Sequence, residues 1–80
     1  MKVKIFFFAE LKEILGSSRF LEVQEGSTIE EVVNLLAGEF TPLFSKKNSL
    51  IYAVNENFET NEKKLKNHDE LALMMPMSGG

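Results

Sequence analysis

The sequence predicts a two-layer α+β domain, and two patterns carry that prediction. Ile29, Val32, Val33, Leu36 and Phe40 recur at the helical period, with Glu30, Glu31 and Asn34 on the opposite side. That is a helix with one face in a core. The stretches Lys2 to Phe8 and Glu70 to Met75 alternate between two sets of residues as strands do, and the order read along the chain is strand, short helix, strand, long helix, strand, short strand, strand. One long helix against a small mixed sheet is the layer arrangement that such an order allows.

The elements follow in order. In Lys2–Phe8, Val3, Ile5 and Phe7 share one face and Lys2, Lys4, Phe6 and Phe8 the other, so the second face changes from lysine to phenylalanine partway along. In Ala9–Gly16, Leu11, Ile14 and Leu15 stand at i, i+3 and i+4, with Gly16 as a left-handed stop, which predicts a short helix. Arg19 to Gln24 alternates again, and either Phe20 or Leu21 leads its inward set. Gly26-Ser27-Thr28 supplies a turn and a helix cap, with Thr28 and Glu31, or Ser27 and Glu30, at capping-box spacing. Gly38 or Pro42 ends the long helix. Ser45–Ser49 is a polar loop, Leu50–Asn55 a strand, and Asn55-Glu56-Asn57 a turn into a short strand around Phe58. Asn61–Asp69 is polar with Leu65 as its anchor, and Glu70–Met75 is the last strand. Pro76 cannot donate to a ladder, so the expected division is a domain over residues 1–75 and a flexible tail over 76–80.

Eighty residues make one domain, with 44% apolar residues to fill its core and no cleft between domains for catalysis. There is no cysteine for a disulfide, a thiolate metal site or a thioester, which fits a reducing compartment. A net charge of −3 argues against a nucleic-acid surface, which needs excess Lys and Arg. No apolar run is long enough to span a bilayer, and the start of the chain lacks the pattern of a secretory signal. The expected location is the cytoplasm, with neither nucleic acid nor membrane as partner.

Motifs for chemistry within the domain are missing. There is no Gly-rich phosphate loop, no histidine pair at ligand spacing and no pattern that assembles a triad. His68 lies in the polar turn Asn67-His68-Asp69, where a solvated or capping role is expected. What remains is Gly79-Gly80 at the end of the sequence. An ordinary frayed end can contain two glycines. Two residues without side chains can also be threaded through a narrow channel into another protein's active site. Once adenylated, an α-carboxylate can accept sulfur and become a terminal thiocarboxylate, an anionic sulfur nucleophile on a tether. That chemistry needs only Gly80.

A second feature is apolar surface on the outward face. If the first and last strands are neighbours and Leu71, Leu73 and Met75 face inward, then Phe6, Phe8, Ala72 and Met74 form one exposed patch, joined by Phe58. Aromatic residues and Met are enriched at interface cores, and this patch would lie at the root of the tail.

Phe7-Phe8-Ala9-Glu10-Leu11-Lys12-Glu13-Ile14-Leu15-Gly16, Gly26-Ser27-Thr28-Ile29, Ala53-Val54-Asn55, Leu65 with Asp69-Glu70-Leu71, and Pro76-Met77-Ser78-Gly79-Gly80 follow one another. In that order they resemble the small, sulfur-carrier subunit family of molybdopterin synthase, essentially from end to end. The resemblance implies a ubiquitin-like β-grasp fold and a sulfur carrier for molybdenum cofactor biosynthesis. Gly80 would be adenylated by an ATP-dependent activating enzyme and converted to a thiocarboxylate, with Gly79 easing the threading of the tail. The tail, Pro76, Met77 and Ser78 included, would then enter the large synthase subunit, where two sulfur transfers build a dithiolene in a heterotetramer. The chain itself would bind no cofactor and would not turn over substrate alone. Family interface positions match Phe8, Phe58 and Met74. Many members carry two prolines before the tail; here Met75 stands at the first, which removes one stiffening ring.

Three alternatives share the Gly-Gly chemistry and differ in recipient: a carrier for thiamine thiazole synthesis, a carrier for tRNA thiolation, and a modifier joined to lysines. A fourth, from another class, is a ubiquitin-like binding module with an inert tail. Deleting Gly80 separates the last from the others.

Overall fold

The computed structural model describes residues 1–39 and 50–75. Within them the chain forms β1 (Lys2–Phe7), α1 (Ala9–Leu15), β2 (Ser18–Glu22), α2 (Ile29–Glu39), β3 (Ile51–Val54), β4 (Asn57–Glu59) and β5 (Glu70–Met74). This is the expected order. The five strands lie side by side as β2-β1-β5-β3-β4, so the last strand in sequence is the central one in space. β1 and β5 run parallel and the other pairs antiparallel, which makes the sheet mixed. With α2 contributing to the same core, this is the β-grasp, ubiquitin-like arrangement.

β1 binds its two neighbours with alternate residues. Met1 and Val23 exchange bonds of 2.7 and 2.8 Å, and the Phe7 N–H donates to the Ser17 carbonyl at 3.0 Å. In this register the odd-numbered residues of β1 therefore bond to β2. Lys2 and Lys4 bond to the approach to β5: the His68 N–H donates to the Lys2 carbonyl at 2.7 Å and the Lys4 N–H to the Asp69 carbonyl at 3.0 Å.

The side chains of Val3, Ile5 and Phe7 point inward and are fully buried with Leu71 and Leu73 of β5. They join Ile29, Val32, Val33 and Leu36 of α2, with Leu11, Val54 and Leu65, in one cluster. Each large aliphatic side chain buried in this way contributes about 1.5–3 kcal/mol before the entropy of ordering is subtracted. The start of α2 is a capping box: the Glu31 N–H donates to Thr28 Oγ1 and the Thr28 N–H to Glu31 Oε1, both at 3.2 Å. The other reading of that stretch fails, because the Ser27 hydroxyl donates instead to the Gln24 carbonyl at 2.7 Å.

Some local expectations shift. Ile14 was expected on the inward stripe of α1, but it is 59% exposed. Only Leu11 is buried in this seven-residue helix, which is too short to lay a full stripe on the sheet. β2 takes the phase led by Leu21, with Val23 buried and Phe20 60% exposed. Gly38 lies inside α2 rather than ending it; Phe40, Pro42 and the Ser45–Ser49 loop lie outside the described residues. Gly16 stops α1, but not in the left-handed helical conformation: its φ of 87° with ψ of 178° is a region open to glycine, and its N–H donates to the Lys12 carbonyl at 2.9 Å.

Candidate functional site

Because β5 is central and parallel to β1, the two strands end on the same side of the domain. Their last ladder pair is Phe7 with Leu73. One residue further, Phe8 leaves β1 in an extended conformation, with φ −131° and ψ 159°, and stands alongside Met74. On the other flank Met74 pairs with Ile51, the first residue of β3. The end of β5 is therefore framed by Phe8 and Ile51. Met75, the last described residue, is half-buried against the core.

The outward face of the sheet is apolar around this exit. Phe6 pairs with Ala72, Ala72 with Ala53, and Ala53 with Phe58, which makes one row across four strands. Successive residues of a strand alternate faces, so all four side chains lie opposite the core. The two alanines form a low floor between two phenylalanines, and Met74 with Ile51 forms the next row. Phe8 is 46%, Ile51 40% and Phe58 77% exposed, whereas Phe6, Ala72 and Met74 are half-buried and Ala53 is buried. A contiguous surface of Phe, Ile and Met is unfavourable in water and favourable against a partner.

Lysines bound the patch on its β1–β2 side. Lys4 Nζ lies 5.0 Å from the centre of the Phe6 ring and 5.4 Å from that of Phe20, and Lys2 Nζ lies 4.8 Å from the Phe20 ring. These are cation–π distances. The change from lysine to phenylalanine along β1 is thus the border of the patch.

The structure brings together Phe6, Phe8, Phe58 and Met74 as the sequence suggested. Pro76, Met77, Ser78, Gly79 and Gly80 lie outside the described residues. Sequence reasoning missed Ile51 and Ala53, although the alternation of Leu50, Tyr52 and Val54 against Ile51 and Ala53 signals them. His68 is exposed, and its backbone N–H serves the sheet. Burial, and after it the Glu30 carboxylate, raises the pKa of the Tyr52 phenol above the ordinary value of 10.0. Tyr52 sits on the core side of β3, away from the patch. Among the described residues no three His, Asp or Glu side chains converge as a metal site. The apolar face borders the end of β5, the last described strand.

The ThiS family matches residues 5–80. The molybdopterin synthase sulfur carrier subunit of Arabidopsis thaliana is 30% identical over 81 residues, spanning 100% of this chain and 84% of that protein. Among solved structures, SAMP1 from Haloferax volcanii superposes with a TM-score of 0.83 at 25% identity, covering 100% of both chains. A chain from the complex of subunits 1 and 2 of the molybdopterin-converting factor of Helicobacter pylori shares the fold. Its TM-score is 0.68 at 23% identity, again over 100% of both chains.

Proposed function

The chain belongs to the ThiS family, and from that premise we propose that it is the sulfur carrier subunit of a molybdopterin synthase, with Gly80 as the carrying residue. A carboxylate oxygen of Gly80 attacks the α-phosphorus of ATP on an activating enzyme, and pyrophosphate leaves. Hydrosulfide then attacks the acyl carbon, AMP leaves with the C–O bonding pair, and loss of the sulfur-bound proton leaves a thiocarboxylate. In the large subunit its sulfur would bond to an electrophilic carbon of the pterin precursor as a C–O bond at that carbon breaks, the oxygen leaving with its electron pair and taking up a proton. Water then cleaves the acyl–sulfur bond, so the sulfur stays on the precursor and the Gly80 carboxylate returns. A second cycle supplies the second sulfur of the dithiolene.

The observation that carries this reading is the position of β5. The strand that leads to Gly79-Gly80 ends inside the apolar patch, framed by Phe8 and Ile51. A partner docked on Phe6, Phe8, Phe58 and Met74 would receive the tail, Pro76, Met77 and Ser78 included, at its own surface. The Helicobacter pylori protein that shares this fold is in a complex of subunits 1 and 2; by analogy the partner here would be the large subunit, and the assembly we propose is a heterotetramer with two carriers flanking a dimer. The same face would serve the activating enzyme, which brings the ATP; the carrier needs no cofactor of its own. The reading places the chain in the cytoplasm. No helix among the described residues is long and apolar enough to cross a membrane.

The test is the intact mass of the chain after incubation with an activating enzyme, ATP and a sulfur source, beside a chain lacking Gly80. A gain equal to one oxygen replaced by sulfur, absent from the truncated chain, is expected. No gain, with the enzyme active on another carrier, would leave a binding module with an inert tail.

A further inference from the structure

Among the described residues β2 is an edge of the sheet. In the β1–β2 register, Met1, Val3, Ile5 and Phe7 form the bonded pairs with Val23, Leu21, Arg19 and Ser17. The residues between them, Ser18, Phe20 and Glu22, must direct their N–H and C=O groups away from β1. No described strand lies beyond them. Edge strands are commonly blunted by charge, proline or a bulge; Ser18-Arg19-Phe20-Leu21-Glu22 has no proline or bulge, and of its two charges Arg19 is paired with Glu39 at 3.7 Å. Its central side chain, Phe20, is 60% exposed.

We propose that two copies of this chain associate through antiparallel pairing of β2 with β2, on a two-fold axis at Phe20. This goes beyond the sulfur-carrier reading and uses an edge two strands away from β5. In this register Phe20 pairs with Phe20 of the second copy, and Ser18 pairs with Glu22 twice. All the outward backbone groups of the three residues are then bonded. On the outer face the two phenyl rings meet, each already flanked by Lys2 and Lys4. No like charges stand opposite one another: Glu22 has Lys2 on one side and the partner's Ser18 on the other. On the core side Arg19, which pairs with Glu39 at 3.7 Å, stands across from Leu21 of the second copy. A shift of one residue in either direction would turn the outward groups of one strand toward the inward groups of the other. The register is thus set by the backbone as well as the side chains.

A five-residue strand is about 17 Å long. A contact of that length falls below the roughly 1,200 Å² typical of stable complexes, so the dimer dissociates on dilution.

The experiment is sedimentation of the full chain from micromolar to millimolar concentration, with three variants. Ser18→Lys places a lysine opposite Glu22 at both symmetric positions and tightens the dimer roughly 2- to 30-fold; Ser18→Glu weakens it by a similar factor. Phe20→Pro removes an N–H that β1 does not use, and leaves a monomer. Should that variant fail to fold, the Ser18 pair still decides. A chain that stays monomeric at millimolar concentration overturns the proposal. So does a dimer indifferent to both Ser18 substitutions, since its contact would lie elsewhere, as on the Phe58 face.

Discussion

The Asn55 side chain is bonded twice to the start of β5: its Nδ2 donates to Asp69 Oδ1 and its Oδ1 accepts the Glu70 N–H, each at 3.0 Å. The Asn55 backbone adds a third link, its N–H donating to the Glu70 carbonyl at 2.9 Å. Asn55 and Glu56 form the two-residue turn between β3 and β4 with φ of 50° and 73°, the double left-handed geometry that asparagine tolerates. Asp69 meanwhile accepts the Lys66 N–H at 2.7 Å through Oδ2, and so closes the turn before β5. One side chain thereby joins the β3–β4 hairpin to β5 and fixes the register of the strand that leads to the tail.

Replacing Asn55 separates its two roles. Asn55→Gly keeps the left-handed backbone open but loses the side-chain bonds; Asn55→Ala loses both. We expect Asn55→Ala to cost about 1–3 kcal/mol in urea denaturation. Asn55→Gly should be less damaging, by about 1–2 kcal/mol, the left-handed penalty of a Cβ. Equal losses would mean that the turn geometry contributes nothing.

The capping box of α2 gives a second prediction. Thr28→Ala removes the acceptor of the Glu31 N–H and should cost about 1 kcal/mol. Glu31→Gln keeps an oxygen able to accept the Thr28 N–H and should cost less. Thermal unfolding of both variants ranks them, and the reverse order would contradict the box.

These local devices were legible because each is a short-range rule. The box is a spacing of three residues, the hairpin is an asparagine turn, and the faces of β1, α2 and β5 follow their periods. Ile14 was misread because periodicity says which residues share a face but not whether anything covers it. Phe20 against Leu21 stayed open because both phases of β2 put a large apolar residue inward, and only the ladder to β1 decides. Ile51 and Ala53 entered the patch through the sheet order, with β3 beside β5, which is a long-range fact. The chemistry proposed for Gly80 needs no geometry within the domain, and so the sequence alone could suggest it.

Tyr52 supplies the pH dependence. Burial, then Glu30, raises its folded pKa above the ordinary 10.0, so the folded protein holds this proton at a pH where the unfolded chain releases it. The contribution to stability is complete below the unfolded value and is lost as pH rises through the folded one. Tyr52→Phe has no proton to lose. Between about pH 9 and 11 its denaturation midpoint should fall less steeply than that of the parent chain. Parallel curves would show that the phenol does not titrate differently on folding.

The patch can be tested apart from the fold. Phe58 is 77% exposed on the three-residue strand β4, so Phe58→Ser should change stability by no more than about 0.5 kcal/mol. Leu73 is fully buried one residue before Met74 on β5, and Leu73→Ala should cost about 2–5 kcal/mol. If the outward face is the docking surface, calorimetric titration with a large subunit should reverse that ranking. Phe58→Ser and Met74→Glu would each lose roughly tenfold or more in affinity, as central aromatic and Met anchors do. Leu73→Ala, kept folded at low temperature, would bind almost as the parent does. Affinity that follows stability instead, low for Leu73→Ala and unchanged for Phe58→Ser, would mean that partners read the tail without the face.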